Sequence, residues 1–225
     1  MNAAPDARSP SSLRLVFTLA IAGLISGTAI IGIYESTLPT ITANKARELR
    51  EAVFKVLPGV TRMQALVQRG GQLVVVAEPA KDEPVIYGGY DDDGTFVGYA
   101  MPGAGPGFQD TIALLYGYQP GEKLVVGMEV LESRETPGLG DKIYKDMDFV
   151  DEFYALAVEP EIVAVKKGTK TADNHVDAIT GATISSKAIV RIINETHADW
   201  AGQLPAPGSE PAIQAGEQGG SGAGP

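Results

Sequence analysis

The segment Val85–Met101, VIYGGYDDDGTFVGYAM, decides the class of fold. Two runs rich in β-branched and aromatic residues, Val85–Tyr90 and Thr95–Met101, flank the tetrapeptide Asp91–Gly94. An Asp-Gly pair between two such runs is typical of a hairpin turn, so the segment predicts two antiparallel strands. A calcium loop is the sharper interpretation of three consecutive aspartates, but the other ligands of an EF-hand are missing, which favours a plain turn.

Further strands and helices are predicted on both sides of this hairpin. Short apolar runs bounded by turn residues predict strands at Leu73–Ala77, Thr111–Tyr118, Leu124–Leu131 and Ile162–Val165. Apolar residues at helical spacing predict amphipathic helices at Ile41–Val56 and Ser186–Trp200. Thr40 or Thr42 is expected to cap the first of them. Because strands and helices do not alternate regularly, an α+β domain with a mixed or antiparallel sheet and flanking helices is expected over residues 35–203.

A membrane anchor is predicted near the N-terminus. Leu15–Ile33 is an uncharged apolar run of about twenty residues, the length that spans a bilayer as a helix. Arg8 and Arg14 precede or border it, which favours a cytoplasmic leader of residues 1–14 and a main domain outside the membrane. A cleaved signal peptide is the alternative, but its apolar region would be shorter and would end in a small-residue cleavage site.

Both ends of the chain carry a further compositional signal. Gly23 and Gly27 lie inside the apolar run at G-x-x-x-G spacing, which lets another helix approach closely, so a membrane partner is expected there. At the other end, residues 205–225 are rich in Pro, Gly and Ser. A segment of that composition cannot bury a core and is predicted to be disordered.

Composition excludes several classes of function. Among 225 residues, 18 Lys and Arg stand against 28 Asp and Glu, a formal net charge of −10. A nucleic-acid partner is not expected, since phosphate neutralisation needs a basic face. Without cysteine there is no disulfide, no thiol nucleophile and no cysteine-held iron–sulfur cluster. With His175 and His197 as the only histidines, no metal site built on several histidines is predicted.

The common nucleotide-binding and nucleophile motifs are not present. Gly103–Gly107 is rich in glycine, but no Lys-Ser or Lys-Thr pair follows it as a P-loop requires, and its proline fits a dinucleotide-binding turn badly. There is also no Gly-x-Ser-x-Gly elbow. No catalytic residue is therefore predicted.

The segment Asp177–Ser186, DAITGATISS, is the best candidate for chemistry. Small residues surround Thr183 directly before a predicted helix, where free backbone N–H groups and the positive end of the helix dipole stabilise an anion such as a phosphate. The Gly-Ala pair before this threonine leaves room for a bulky group. The plainer interpretation is a turn followed by a helix cap at Ser185 or Ser186, and composition alone favours it.

The spacing Asp177-x-x-Thr180-Gly181-Ala182-Thr183 resembles the flavinylation motif of the FMN-binding domain family. In that family the last Thr or Ser carries FMN through a phosphoester bond to its hydroxyl, which a dedicated FAD-dependent flavin transferase makes. The resemblance implies that Thr183 holds FMN covalently. It also places Thr180, Gly181 and Ala182 at the cofactor, and it assigns Asp177 to recognition by the transferase or to the metal of that enzyme.

A second segment, Ser133–Gly140, SRETPGLG, resembles the Glu-Thr-Pro-Gly-Leu-Gly loop of two related families, the G-type subunits of the Rnf complex and the C-type subunits of the sodium-pumping NADH:quinone reductase. In those proteins the loop lies beside the flavin ring. The resemblance therefore implies cofactor contacts from Glu135, Thr136, Gly138 and Leu139. Without it, the segment reads as a turn between strands. The order of elements also follows the family, and the short chain favours the G-type subunit of the Rnf complex.

The resemblance implies an electron-relay subunit that carries one covalent FMN. Its complex would lie in the inner membrane and couple electron transfer between ferredoxin and NAD to ion translocation, with the main domain periplasmic. The implied partners are the other membrane subunits of the Rnf complex and the flavin transferase. No activity of the isolated chain is expected, because the cofactor supplies the redox chemistry. Two alternatives stay open: a membrane-anchored scaffold without a redox role, and a secreted flavoprotein reductase with a cleaved leader.

Overall fold

A computed structural model of the protein describes residues 11–80 and 82–214. Its elements are numbered here in chain order. The helices are α1 Ser12–Val56, α2 Lys142–Lys145, α3 Met147–Asp151 and α4 Thr183–Ala201. The strands are β1 Arg62–Arg69, β2 Gln72–Val76, β3 Val85–Tyr90, β4 Phe96–Pro106, β5 Thr111–Gln119, β6 Leu124–Glu132, β7 Tyr154–Ala157, β8 Val163–Lys166 and β9 His175–Ala178. The chain divides into two compact units, residues 1–47 and 48–225.

The described part of the first unit is the apolar stretch of α1. Large side chains such as Phe17, Leu24 and Ile31 are exposed along it. Within the described residues, α1 is the one helix that is long and apolar enough to cross a membrane. This finding agrees with the anchor predicted at Leu15–Ile33. The predicted leader lies largely outside the described residues, because these begin at position 11.

The helix predicted at Ile41–Val56 is not a separate element. Helix α1 runs without interruption through the anchor and through this segment. The expected cap at Thr40 or Thr42 is therefore wrong. The Thr42 hydroxyl donates instead to the carbonyl oxygen of Leu38 at 3.0 Å, and a threonine that bonds back by one turn lies inside a helix.

The second unit is built on a seven-stranded sheet in the order β2-β1-β3-β4-β5-β6-β7. Every neighbouring pair in this sheet is antiparallel, whereas β8 and β9 form a separate parallel pair. The prediction of an α+β fold with a mixed or antiparallel sheet is confirmed. Among the described strands, β2 pairs with β1 alone and so forms one edge of the sheet.

The apolar runs bounded by turn residues located five strands closely. β3 has the predicted bounds, and β2, β5, β6 and β8 lie within one residue of theirs. β4 continues to Pro106 and so includes most of the glycine-rich segment. In the hairpin turn, an Asp91 carboxylate oxygen accepts the N–H groups of Asp93 and Thr95 at 3.0 and 2.8 Å. This aspartate therefore closes an Asx-type turn. β1, β7, β9, α2 and α3 had no counterpart in the sequence analysis.

The end of α1 covers one face of the sheet. Ala52, Val53 and Val56 are buried there in a cluster with Leu115 of β5. Gly117 permits this close approach, because a β-carbon at that position would overlap the carbonyl oxygen of Val56. The start of the second unit is thereby fixed against the centre of the sheet.

Helix α4 covers the opposite face. Ile189, Ile192 and Ile193 are buried in the main apolar cluster of the domain. Gly103 of β4 faces this helix, and a β-carbon there would lie only 2.5 Å from the Thr196 hydroxyl oxygen. The glycine-rich strand is therefore a packing surface for α4, and the start of α4 is held firmly against the sheet.

Residues 205–214 form a segment that we call the C-terminal strap, and it lies against β1 and β3. The buried side chain of Gln64 donates to the carbonyl oxygen of Ala212 at 3.2 Å and accepts the N–H of Gln214 at 3.1 Å. The Tyr90 hydroxyl donates to the carbonyl oxygen of Pro211 at 2.5 Å. The prediction of a disordered tail is thus wrong for the strap, whose backbone finds partners on the sheet. Positions 215–225 of that tail lie outside the described residues.

Candidate functional site

The helix that carries the predicted motif begins at Thr183, three residues before the predicted start. Ala182 occupies the N-cap position and no side chain caps the helix. The expected caps at Ser185 and Ser186 are therefore wrong, since both serines lie in the first turn of α4. The backbone N–H groups of a first turn have no partner inside the helix, so the positive end of its dipole lies at Thr183.

The predicted loop after β6 forms a tight turn beside this helix start. The N–H of Leu139 donates to the carbonyl oxygen of Thr136 at 3.1 Å. Gly138 has a φ of +77°, as the third residue of a type II turn requires. A β-carbon on Gly181 would lie 4.0 Å from Leu139 Cδ2. The two segments selected from the sequence therefore meet in the fold.

A cavity of about 340 Å³ lies between these two segments, and we call it the apolar cavity. The predicted site residues in its wall are Glu135, Thr136, Leu139, Gly181, Ala182 and Thr183. Phe108 and Ile184 also line it, and with Leu139 they are more than half exposed. Exposed apolar side chains gathered at one concave site indicate a binding place for an apolar group.

A second cavity, of about 260 Å³, shares Gly181 and Thr183 with the first. We call it the lysine cavity, because its wall contains Lys166, Lys167 and Lys187. The predicted site residue Thr180 lines this cavity and not the apolar one. Three cations close together, in a chain of net charge −10, attract an anionic ligand to this place.

Two predicted site residues line neither cavity. Gly138 shapes the turn that carries Leu139. Asp177 lies in β9, and its Oδ2 accepts the N–H of Gly168 at 2.8 Å. This bond holds the turn that directly follows Lys166 and Lys167. The other carboxylate oxygen of Asp177 is buried and has no hydrogen-bond partner among the described residues.

Glu135 is the buried acid of the site, with 5% of its surface exposed. Its Oε1 accepts the N–H groups of Phe108 and Gln109 at 2.8 and 3.0 Å, and its Oε2 accepts the Ser185 hydroxyl at 2.7 Å. Burial of the carboxyl group raises its pKa. The hydrogen bonds from Ser185 and the loop together lower the pKa by more than burial raises it, so the pKa lies below its ordinary value. Glu135 is therefore ionised at neutral pH, and it connects the β4–β5 loop to α4.

Some residues of the site were missed by the sequence analysis. Phe108 follows the glycine-rich segment, where nothing marks it as a ligand contact. Lys166 and Lys167 are visible as a basic pair, but only the parallel pairing of β8 with β9 brings them to the motif, through the register Lys166↔Ala178. No group of three or more His, Asp or Glu side chains within the described ranges is arranged to hold a metal ion.

Comparison with known proteins shows that the second unit contains an FMN-binding domain. The family model described as the FMN-binding domain matches residues 107–197, which include Phe108, the loop after β6 and most of α4. The crystal structure of Shewanella oneidensis NqrC has a similar fold, with a TM-score of 0.56 and 20% sequence identity. That similarity covers 68% of this chain and 91% of the NqrC chain.

Similar sequences extend over most of the chain. The G-type subunit of the ion-translocating oxidoreductase complex of Escherichia coli O157:H7 is 30% identical over 198 residues, which cover 85% of this chain and 95% of the relative. The G-type subunit of the proton-translocating ferredoxin:NAD(+) oxidoreductase complex of Clostridium ljungdahlii is 28% identical over 193 residues, which cover 85% and 93% of the two chains. The chain belongs to the family of G-type subunits of ion-translocating oxidoreductase complexes.

Proposed function

We propose that the protein carries FMN in a phosphoester bond to Thr183 Oγ1 and relays electrons within an ion-translocating membrane complex that connects ferredoxin and NAD. The observation that carries this proposal is the position of Thr183 on the shared border of the apolar cavity and the lysine cavity. FMN has the two corresponding parts, a flat and largely apolar ring system and an anionic phosphate. The two cavities, with Thr183 between them, therefore support the assignment of FMN to this site.

Each cavity offers groups that suit one part of the cofactor. In the apolar cavity, Phe108, Leu139 and Ile184 provide contacts for the ring system. In the lysine cavity, three ammonium groups provide positive charge that would stabilise the phosphate. The free N–H groups at the start of α4 would stabilise it further by hydrogen bonding. The Thr183 side chain is exposed, and its hydroxyl has one long hydrogen bond, of 3.4 Å, to the Ile179 carbonyl oxygen. This hydroxyl is therefore accessible and only weakly hydrogen-bonded, which favours its reaction.

Attachment requires a flavin donor and an enzyme, and we propose FAD and a flavin transferase. The Thr183 oxygen attacks the phosphorus on the flavin side of FAD. The bond between the two phosphates breaks, the Oγ1–phosphorus bond forms, AMP leaves and the hydroxyl proton is released. No electron is gained or lost in this step. The protein gains the mass of FMN minus one water.

Bound FMN supplies the one- and two-electron redox chemistry, and the chain supplies attachment and orientation. Attachment to the first residue of α4 fixes the cofactor to a helix that is packed on the sheet. We further propose that α1 anchors the protein in the inner membrane with a cytoplasmic N-terminus and a periplasmic domain, and that it contacts other membrane subunits of the complex through Gly23 and Gly27.

Intact mass spectrometry of the denatured protein from its native membranes, together with in-gel flavin fluorescence, tests this function. The T183A variant should lose both the added mass and the fluorescence. The matched control is T180A, which removes the neighbouring hydroxyl of the same motif but keeps the proposed attachment oxygen, so T180A should still carry covalent flavin. An unmodified wild-type chain, from cells that flavinylate other proteins, would favour the scaffold function. Flavin retained in T183A would move the attachment to another residue.

A further inference from the structure

We propose that Glu135 is a fixed negative charge that lowers the reduction potential of the cofactor in the apolar cavity. This inference rests on the proposed function and concerns how the protein sets the energy of the electrons that it relays. Glu135 lines the cavity in which we place the flavin ring system. It acts on the cofactor through its charge and through the residues that it positions.

The carboxylate of Glu135 is held in one place by the backbone around it. Its hydrogen bonds come from two N–H groups of the β4–β5 loop and from the Ser185 hydroxyl of α4. A β-carbon on Gly140 would lie 2.6 Å from Oε2, and one on Gly107 would overlap Oε1. Glycines at these two positions let the backbone enclose the carboxylate, which therefore has little freedom to move away from the cavity.

The charge of Glu135 is not cancelled by a cation. Its hydrogen-bond donors are neutral, and the described part of the chain contains no ion pair to it. Two basic residues of the neighbouring segments have other partners, since Arg134 pairs with Asp110 at 3.6 Å and Lys145 with Asp141 at 2.7 Å. A buried charge without a counter-ion acts over a longer distance than an exposed one, because less water screens it.

The sign of the effect follows from Coulomb's law. Reduction adds negative charge to a flavin, and a fixed anion nearby makes that addition less favourable. The three lysines that would favour it belong to the lysine cavity, where we place the phosphate. The domain thus presents an anion at the apolar cavity and cations at the lysine cavity.

Two substitutions separate the charge of Glu135 from its contacts. In E135Q, the amide oxygen still accepts the two loop N–H groups and the amide nitrogen donates to the Ser185 oxygen, so the contacts persist without the charge. In S185A, one hydrogen bond to the carboxylate is lost while the charge remains. A purely structural role for Glu135 predicts that both variants loosen the site and change the potential in the same direction. An electrostatic role predicts different directions.

The experiment is a spectroelectrochemical titration of the full-length, flavin-loaded protein in detergent, comparing wild type, E135Q, E135D and S185A. E135Q should shift the midpoint potential to more positive values, and E135D should return it toward the wild-type value. S185A should shift the potential to more negative values, because the carboxylate loses a hydrogen-bond donor that offsets part of its charge. Amide exchange at Phe108 and Gln109, measured without cofactor in the T183A background, should be similar with and without E135Q.

Each remaining outcome decides the inference. A fully loaded E135Q protein with the wild-type potential, or a positive shift in both E135Q and S185A, would overturn it. If E135Q fails to load, S185A decides: a more negative potential supports the inference, and an unchanged or more positive potential overturns it. A wild-type chain without covalent flavin would remove the proposed function together with this inference. A flavin-bearing wild type with an unresponsive E135Q would remove the inference only.

Discussion

Thr183 and Thr180 lie three residues apart in the same motif, yet they have different surroundings. Thr183 borders both cavities, whereas Thr180 lines the lysine cavity alone. The difference arises because Gly181 has a φ of +85° and turns the chain between the two threonines. A residue with a side chain rarely adopts this conformation, so the glycine of the motif is needed for the turn.

Asp177 acts at the same scale, through one hydrogen bond. Its Oδ2 holds the N–H of Gly168 and so fixes the turn after Lys166 and Lys167. D177N keeps an acceptor oxygen at that position and should retain most of the flavin on Thr183. D177A removes the acceptor, so we expect a large loss of modification and a loss of about 1 kcal/mol in the free energy of unfolding. Intact mass and thermal denaturation measure the two effects.

The comparison of these two variants separates two roles for Asp177. If D177N loses the flavin while its melting temperature stays at the wild-type value, the negative charge itself is required. Asp177 would then act by binding the transferase or the metal ion of that enzyme. Equal modification in wild type and D177A would show that the turn after β8 does not matter for attachment.

The site could be predicted from sequence where its residues are neighbours in the chain. Thr183, Gly181 and Ala182 belong to one short motif, and Leu139 belongs to another. Lys166 and Phe108 could not be predicted in this way, because strand pairing and the turn after β4 bring them to the motif from distant positions.

At the scale of elements, β1 and the C-terminal strap depend on each other. Gln64 is buried in β1, and its amide group satisfies an N–H and a carbonyl group of the strap. A polar residue buried in a strand without such partners would be strongly unfavourable. This dependence explains why both elements were missed: Gln64 breaks the apolar pattern of β1, and the composition of the strap indicates disorder.

A double-mutant cycle tests this pairing. Q64A in the full chain leaves polar groups of the strap without partners and should lower the free energy of unfolding by about 1–3 kcal/mol. After removal of residues 205–225, the same substitution should cost clearly less, because those groups are gone. The measurement is urea unfolding of the four proteins. Equal costs of Q64A in both backgrounds would mean that the strap does not stabilise β1.

The strands that could be predicted from sequence are apolar runs, rich in β-branched and aromatic residues, between clear turn signals. β3, β5 and β6 meet that condition. β9 has four residues, and His175 and Asp177 interrupt any apolar run there. β7 also has four residues, and it pairs with β6 across the two short helices α2 and α3.

At the scale of the whole molecule, the absence of cysteine makes the membrane topology directly testable. Gly121 lies in the turn between β5 and β6, where an added side chain meets nothing within 4 Å. In intact spheroplasts, a membrane-impermeant maleimide should label G121C but should label S9C only after the membrane is opened. The wild-type chain should take no label and is the control.

The reverse labelling pattern would place the domain in the cytoplasm and contradict the proposed orientation. A mature G121C protein that is labelled but lacks the N-terminal segment in its intact mass would indicate a cleaved signal peptide. The protein would then be secreted and not anchored.

The free edge at β2 has a consequence for handling the protein. The strand Gln72–Val76 carries no charge, and Val74 is 39% exposed. Natural proteins protect such edges with lysine, proline or bulges, because an unprotected edge can add a strand from another molecule. We therefore expect concentrated samples freed from the bilayer to aggregate through β2, and V74K, which places a lysine on this edge, should reduce that aggregation during storage and crystallisation.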